Sequence, residues 1–105
     1  MRAVIDTNVI VSGLPRPALV VQSDLFNPTH ASVTICPITS DCMDAPLFRI
    51  TVSSGTRTGL RRMSQVMVDK IVSVPRARIA KEIGRCNDNE VEAVEQALRG
   101  WLQLA

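Results

Sequence analysis

The alternation of β-branched runs with turn residues limits this chain more than any other feature. As far as Val74 it breaks into short strand-like stretches, and only beyond Asn87 does a helical period take over. The runs Ala3–Val11, Ala18–Ser23, Ser32–Ile38, Phe48–Val52 and Ser64–Val74 read as strands, the last of them long or bent. Ser32–Ile38 places Val33, Ile35 and Pro37 on one face and Thr34, Cys36 and Ile38 on the other. Phe48, Ile50 and Val52 likewise share a face. Glycine and proline punctuate the runs at Gly13-Leu14-Pro15, Asn27-Pro28, Asp44-Ala45-Pro46 and Ser53-Ser54-Gly55.

After Asn87 the spacing changes. Asn87, with Glu90 three residues on, has the form of a capping box, with Asn in place of the usual Ser or Thr. Val91, Val94, Leu98, Trp101 and Leu102 then recur at helical spacing, with Trp101 expected as the core anchor. Glu92, Glu95, Gln96 and Arg99 face away, and Glu95 with Arg99 makes a favourable i,i+4 pair. The stretch Pro75–Gly84 stays open. Pro75 suits a helix start, Gly84 a helix end, and Ile79 and Ile83 are four apart, but the segment is short. Several short strands followed by one helix predict a mainly β, α+β domain over 1–105. Its architecture is a small SH3-like barrel or a curled antiparallel sheet packed by the C-terminal helix. A domain of 105 residues buries only roughly 60–70% of its unfolded surface, so a second copy is expected to supply part of the core.

Composition removes several functions. Phe26, Phe48 and Trp101 are the only aromatic residues, too few for the stacking platform of a general single-strand binder. No apolar run approaches the ~20 residues of a membrane span, and no signal-peptide cleavage pattern opens the chain, so a soluble cytoplasmic protein with no membrane partner is expected. Cys36, Cys42 and Cys86 match no metal spacing and read as small, mostly buried thiols. His30 is the single histidine, which excludes mechanisms needing two imidazoles. No metal or cofactor is expected. The net charge of +2 is unevenly spread. Residues 1–56 carry −1 and residues 86–105 carry −3, whereas 57–85 carry +6 through Arg57, Arg61, Arg62, Lys70, Arg76, Arg78, Lys81 and Arg85. Such a block suits phosphate contact, or else forms a solvated face.

Pairing Ala18–Ser23 with Ser32–Ile38 as an antiparallel hairpin sets position i against about 55 − i. Arg16 then falls opposite Thr39 at the open end, and His30 lies at the other end. A guanidinium and a hydroxyl converging there make a phosphate site, because the guanidinium fork donates paired hydrogen bonds to two oxygens.

The same residues carry a resemblance. Arg16-Pro17-Ala18-Leu19-Val20-Val21-Gln22-Ser23-Asp24, then Asn27, resembles the RPALVVQ-D-N signature of the MazF/PemK family of toxin endoribonucleases. Pro37-Ile38-Thr39-Ser40 is similar to that family's next strand end. Gly59-Leu60, Ser64, Asp69-Lys70-Ile71 and Val74 follow in the family's order, with Lys70 where Gln is usual, and then Ile83-Gly84-Arg85 and the helix. The resemblance covers 16–105. It implies a CcdB/Kid-type fold, a homodimer, and metal-independent cleavage of single-stranded RNA or mRNA to 2′,3′-cyclic phosphate and 5′-hydroxyl ends. It implies Arg16 and Thr39 as catalytic residues, with Asn27, Arg57, Arg61, Arg62 and Ser64 as candidates for binding RNA. It further implies a cognate antitoxin as partner, with DNA reached only indirectly through that antitoxin.

The front of the chain departs from the pattern. Residues 1–14, MRAVIDTNVIVSGL, resemble instead the V-I-D-T-N opening strand of PIN-domain nucleases, where the residue matching Asp6 binds metal. They also serve as a replacement first strand of the sheet. The family's acidic loop is missing, which leaves Asp6 as the nearby carboxylate able to act as a base, and an impaired enzyme as one expectation. The alternatives are a non-catalytic barrel that binds a protein target, as CcdB does, or one that titrates an antitoxin. The ending Trp101-Leu102-Gln103-Leu104-Ala105 lacks the Trp-Gly-Ile close of the CcdB poisons.

Overall fold

The computed structural model describes residues 3–11, 14–26 and 28–104. Its strands are β1 (Ala3–Val11), β2 (Leu14–Val20), β3 (Ser32–Thr39), β4 (Arg49–Val52), β5 (Ser64–Met67), β6 (Val72–Pro75) and β7 (Ile79–Arg85), followed by the helix α1 (Asp88–Trp101). They form one sheet in the order β4-β5-β3-β2-β1-β7, with β6 branching from β3. Every pairing is antiparallel. Among the described residues β4 and β7 do not pair, so the sheet is an open curl and not a closed barrel.

Alternation along β3 divides the interior in two. Cys36 and Ile38 join Val4, Leu19, Val66 and Val68 beneath Val91, Val94 and Ala97 of α1. Val33 and Ile35 face the other way, onto Ile5, Ala18, Val20 and Val74. A strand buried on both faces needs apolar residues at both parities, which Ile35-Cys36-Pro37-Ile38 supplies without a break.

Three segments differ from the sequence reading, each for a physical reason. The strand expected over Ser64–Val74 is broken by a 3₁₀ turn at Val68–Lys70. β5 pairs with the end of β3 (Ile38 with Val66) and β6 with its start (Ile35 with Val72). Between the two pairings the register shifts by three residues, the length of the turn. Val68 is fully buried and its N–H donates to the Phe48 carbonyl at 3.0 Å, which holds the bend in place. The open segment Pro75–Gly84 resolves into a short 3₁₀ turn, Arg76–Arg78, and then β7. Ile79 and Ile83 do not share a face as their spacing suggests: the β1–β7 register slips along this strand, so that Ile79 packs toward Ile5 and Val74 and Ile83 toward Val4 and Leu19. β2, expected over Ala18–Ser23, runs instead from Leu14 to Val20. Prolines at 15 and 17 argue against a strand there, because each lacks a ladder donor, yet both pair with β1.

The PIN-like opening also finds its place. β1 lies between β2 and β7, antiparallel to both, as the first strand of this sheet. The capping box at the start of α1 forms as read. Asn87 Oδ1 accepts the Glu90 N–H at 2.8 Å, and Glu90 Oε1 accepts the Asn87 N–H at 2.9 Å. Trp101 departs from its expected role. It is 49% exposed, packed on the Phe48 ring at a centroid distance of 6.0 Å, while Val91, Val94 and Ala97 anchor the helix.

Candidate nucleic-acid interface

The β2–β3 register is Ala18 with Pro37, Leu19 with Cys36 and Val20 with Ile35, so each pair sums as the hairpin reading requires. Continued outward, it sets Arg16 across from Thr39. Both sit at the end of the sheet that α1 does not cover.

A cavity of about 580 Å³ opens at this end. Asp6, Arg16, Ser40, Arg61, Arg62, Ser64 and Lys81 give it its polar lining, and Pro17, Ile38, Leu60 and Ile83 its apolar floor. Four cationic side chains against one carboxylate make it net positive, as a phosphate-binding surface requires. Arg16 is half-buried, and its Nε is fully buried without a hydrogen-bond partner. A buried donor left unmatched costs about 1–3 kcal/mol, a deficit that an incoming phosphate oxygen would remove. Arg16 also borders a second, apolar cavity of about 200 Å³, between Ala18, Ile35, Pro37 and Val72.

The basic loop is pressed against β7 by glycine chemistry. Gly59 has φ +75°, and a Cβ there would overlap the Ile83 carbonyl. A Cβ at Gly84 would overlap the Thr58 carbonyl in turn. The Arg85 N–H donates to the Arg57 carbonyl at 2.8 Å, and fully buried Thr58 donates to the Ser53 carbonyl at 2.7 Å. These contacts fix the loop from which Arg61 and Arg62 line the cavity. On the other flank, the Gln65 side-chain amide pairs with the backbone of Met43, donating at 2.8 Å and accepting at 3.0 Å. That bond pair holds the segment following β3.

The residues singled out from sequence separate into groups. Arg16, Arg61, Arg62 and Ser64 meet at the cavity, with Ser64 buried and donating to the Arg62 carbonyl at 2.9 Å. Thr39 is 7% exposed and lies beside the cavity, not on its wall; its Oγ1 accepts the Asp41 N–H at 3.0 Å. Arg57 is turned elsewhere, donating to Glu90 Oε1 at 2.7 Å and to the Arg85 carbonyl at 3.0 Å. It ties the loop to the helix start. Asn27 lies outside the described residues. Sequence reasoning missed Lys81 as a site residue. Its cross-strand pairing with Asp6 would have shown it, but only after Pro75–Gly84 had been read as a strand.

Other chemistry is quiet. All three cysteines are free, Cys36 and Cys86 buried and Cys42 exposed. Burial, with Asp69 nearby, pushes the Cys36 thiol up to about 12, and burial beside Glu90 pushes Cys86 up to about 11, so neither yields a thiolate near neutrality. Among the described residues no three His, Cys, Asp or Glu side chains gather as a metal site.

Comparison with known proteins agrees with this geometry. The family model of PemK-like, MazF-like toxins of type II toxin–antitoxin systems matches residues 11–102. The probable endoribonuclease MazF of Mycolicibacterium smegmatis is 39% identical over 94 residues, covering 90% of this chain and 85% of the relative. Endoribonuclease EndoA of Bacillus subtilis is 27% identical over 89 residues, covering 85% of this chain and 77% of EndoA. Among solved structures, the Mycobacterium tuberculosis toxin MazF-mt6 superposes with a TM-score of 0.86 at 21% identity, covering 99% of each chain. The MazE–MazF structure of Deinococcus radiodurans (Form-III) gives 0.79 at 23% identity, over 98% of this chain and 94% of that one. With the family model spanning all but the ends of the chain, this protein belongs to the PemK-like, MazF-like toxins of type II toxin–antitoxin systems.

Proposed function

We propose that the chain is an endoribonuclease that cleaves single-stranded RNA through the RNA's own 2′-hydroxyl, without a metal ion. The observation that carries this reading is the half-buried Arg16, its Nε buried and unpartnered, at a cavity otherwise lined by Arg61, Arg62 and Lys81. The endoribonuclease names of the relatives support it. The 2′-oxygen attacks the adjacent phosphorus, the P–O5′ bond breaks, and the products are a 2′,3′-cyclic phosphate and a 5′-hydroxyl. Arg16 stabilises the anionic phosphorane with paired hydrogen bonds. Because a guanidinium gives up a proton so reluctantly, it serves this electrostatic role better than that of a proton donor. At Thr39 the Asp41 N–H occupies an acceptor site of Oγ1, which leaves the hydroxyl proton to donate to a non-bridging oxygen. Arg61 and Arg62 hold the flanking phosphates.

The same proposal gives the chain two protein partners. One is a second copy, docked through the apolar groove between β4 and α1, where Leu47 is 83% exposed beside Phe48, Ile50 and Trp101. The other is an antitoxin, since solved neighbours of this fold include an endoribonuclease in complex with its cognate antitoxin. DNA is reached only through that antitoxin, and the site of action is the cytoplasm. Incubation of short RNAs with the purified protein in EDTA, followed by end-group analysis, tests the reaction. Cyclic phosphate and 5′-hydroxyl ends are expected. Cleavage that stops in EDTA and returns with magnesium or manganese would replace this mechanism by a metal-dependent one at Asp6. No cleavage by a folded dimer would leave an antitoxin-titrating protein.

A further inference from the structure

Within the proposed reaction, one group in the cavity opposes substrate binding. Asp6 is the single carboxylate in a lining that otherwise attracts phosphate, and its charge repels the same phosphate that Arg16, Arg61, Arg62 and Lys81 draw in. Among the described residues no hydrogen bond or ion pair engages the Asp6 side chain, although Lys81 is its backbone partner across the strands.

Its position is specified by the backbone. Asp6 shares the sheet face of Val4, but lies beyond the part covered by α1, at the wall of the cavity. It pairs with Pro17, the neighbour of Arg16. The β1–β7 register slips between Asp6 and Thr7, and the β1–β2 register between Asp6 and Ile10. Such irregularities re-aim a side chain at the cost of ladder pairing.

From this placement we infer that Asp6 is the general base of the cleavage step, a role that rests on the 2′-hydroxyl mechanism proposed above. A phosphate held by Arg16 brings its attacking group with it, because the 2′-hydroxyl is on the ribose carbon next to the one that bears the phosphate. Asp6 takes the proton from that hydroxyl as the 2′-oxygen bonds to phosphorus, and the departing 5′-oxygen is protonated by water. The step needs no oxidant, reductant or metal ion. The carboxylate therefore weakens binding of the ground state and accelerates its conversion, the signature of a group retained for chemistry.

Asp6→Asn keeps the shape and removes the base. Single-turnover cleavage of a short RNA should fall by ~10²–10⁴-fold. Binding of the same RNA carrying 2′-O-methyl groups should stay equal or tighten, because a repulsive charge is gone. Asp6→Glu, which keeps a carboxylate on a longer stem, should restore the rate in part. Thermal melting in parallel confirms that each variant is folded. A bridging 5′-thio substrate, whose leaving group needs no proton, should retain the full Asp6→Asn defect. Wild-type-like cleavage by folded Asp6→Asn would overturn the assignment. So would analogue binding lost in proportion to rate, or a defect abolished by the 5′-thio substrate. If the wild type itself cleaves no RNA, or leaves 5′-phosphate ends, the underlying mechanism fails and the role of Asp6 fails with it. If the wild type leaves cyclic phosphate ends and Asp6→Asn matches its rate, only the role of Asp6 fails.

Discussion

Replacing Glu90 by Ala should loosen the basic loop as well as the helix that carries the residue. Its carboxylate accepts three donors: the Asn87 N–H at 2.9 Å, the Ser53 N–H at 3.1 Å and Arg57 Nη1 at 2.7 Å. The first closes the capping box, and the other two fasten the segment that leads to Arg61 and Arg62. Hydrogen bonds to a charged acceptor are worth about 1.5–3 kcal/mol each. Asn87 and Ser53 lie near solvent and regain water, so the lower end applies to both. A carboxylate in the first helical turn adds about 0.3–1 kcal/mol. Arg57 is exposed and is given no share. The expected loss for Glu90→Ala is about 2–4 kcal/mol, or roughly 10–25 °C in Tm for a domain of this size. Urea unfolding at fixed protein concentration measures it as a lower midpoint with an unchanged slope. The effect also has a pH signature. Burial raises the Glu90 pKa, but the hydrogen bond from Arg57 and the two backbone donors outweigh it and hold the carboxyl below its usual range. A depressed folded pKa gives stability that is present above the unfolded value and lost as pH falls through the folded one. Glu90→Gln should therefore differ from wild type near neutrality and converge with it in acid. A stability change below about 0.5 kcal/mol for Glu90→Ala, or a Glu90→Gln difference that does not depend on pH, would refute this account of the loop.

Further outcomes follow from the site and the packing. Arg16→Ala should lower single-turnover cleavage by ~10²–10³-fold with circular dichroism unchanged, and Arg16→Lys should recover little, because one ammonium cannot form two parallel hydrogen bonds. Thr39→Val, which keeps the shape and deletes the hydroxyl, should lose rate without loss of fold. Arg61→Ala and Arg62→Ala should instead weaken binding of a 2′-O-methyl RNA and flatten its salt dependence, each by about one phosphate contact. Gly84→Ala should cost at least about 1–3 kcal/mol in urea unfolding, since its methyl meets rigid backbone at Thr58 and Arg57 and not a side chain that can turn aside. Light scattering should give twice the chain mass of 11.5 kDa for the wild type, and close to 11.5 kDa for Trp101→Glu if the β4–α1 groove is the dimer face.

Local rules made most of this architecture legible. The β2–β3 register followed from two runs and the turn between them, and the capping box from two residues at fixed spacing. Both are short-range relations, and both appear in the structure as read. What escaped depends on partners distant in sequence. Whether Ser64–Val74 continues as one strand is decided by where β3 begins and ends, thirty or so residues away, and by the buried Val68 bonded to Phe48. Whether Ile79 and Ile83 belong to a helix or a strand is decided by β1, the partner of β7. A spacing of four carries no information on that choice.

The same limit explains the partial view of the site. Charge counting gave the basic block but could not separate Arg57, which ties down the loop, from Arg61 and Arg62, which that loop presents to the cavity. The difference arises from Glu90, a residue that the sequence marks only as part of a cap. Two motif glycines show how pattern and mechanism connect. Gly59 and Gly84 lie far apart in the chain, yet each is required by the backbone next to the other, at Ile83 and at Thr58. Their joint absence of side chains lets the basic loop lie flush on β7, so that Arg61 and Arg62 from the loop and Lys81 from the strand converge on one cavity with Arg16. Asp6, on the strand between β7 and β2, is thereby placed among four cations. An all-cationic cavity would hold RNA more tightly, but none of its groups could accept the proton of the attacking hydroxyl.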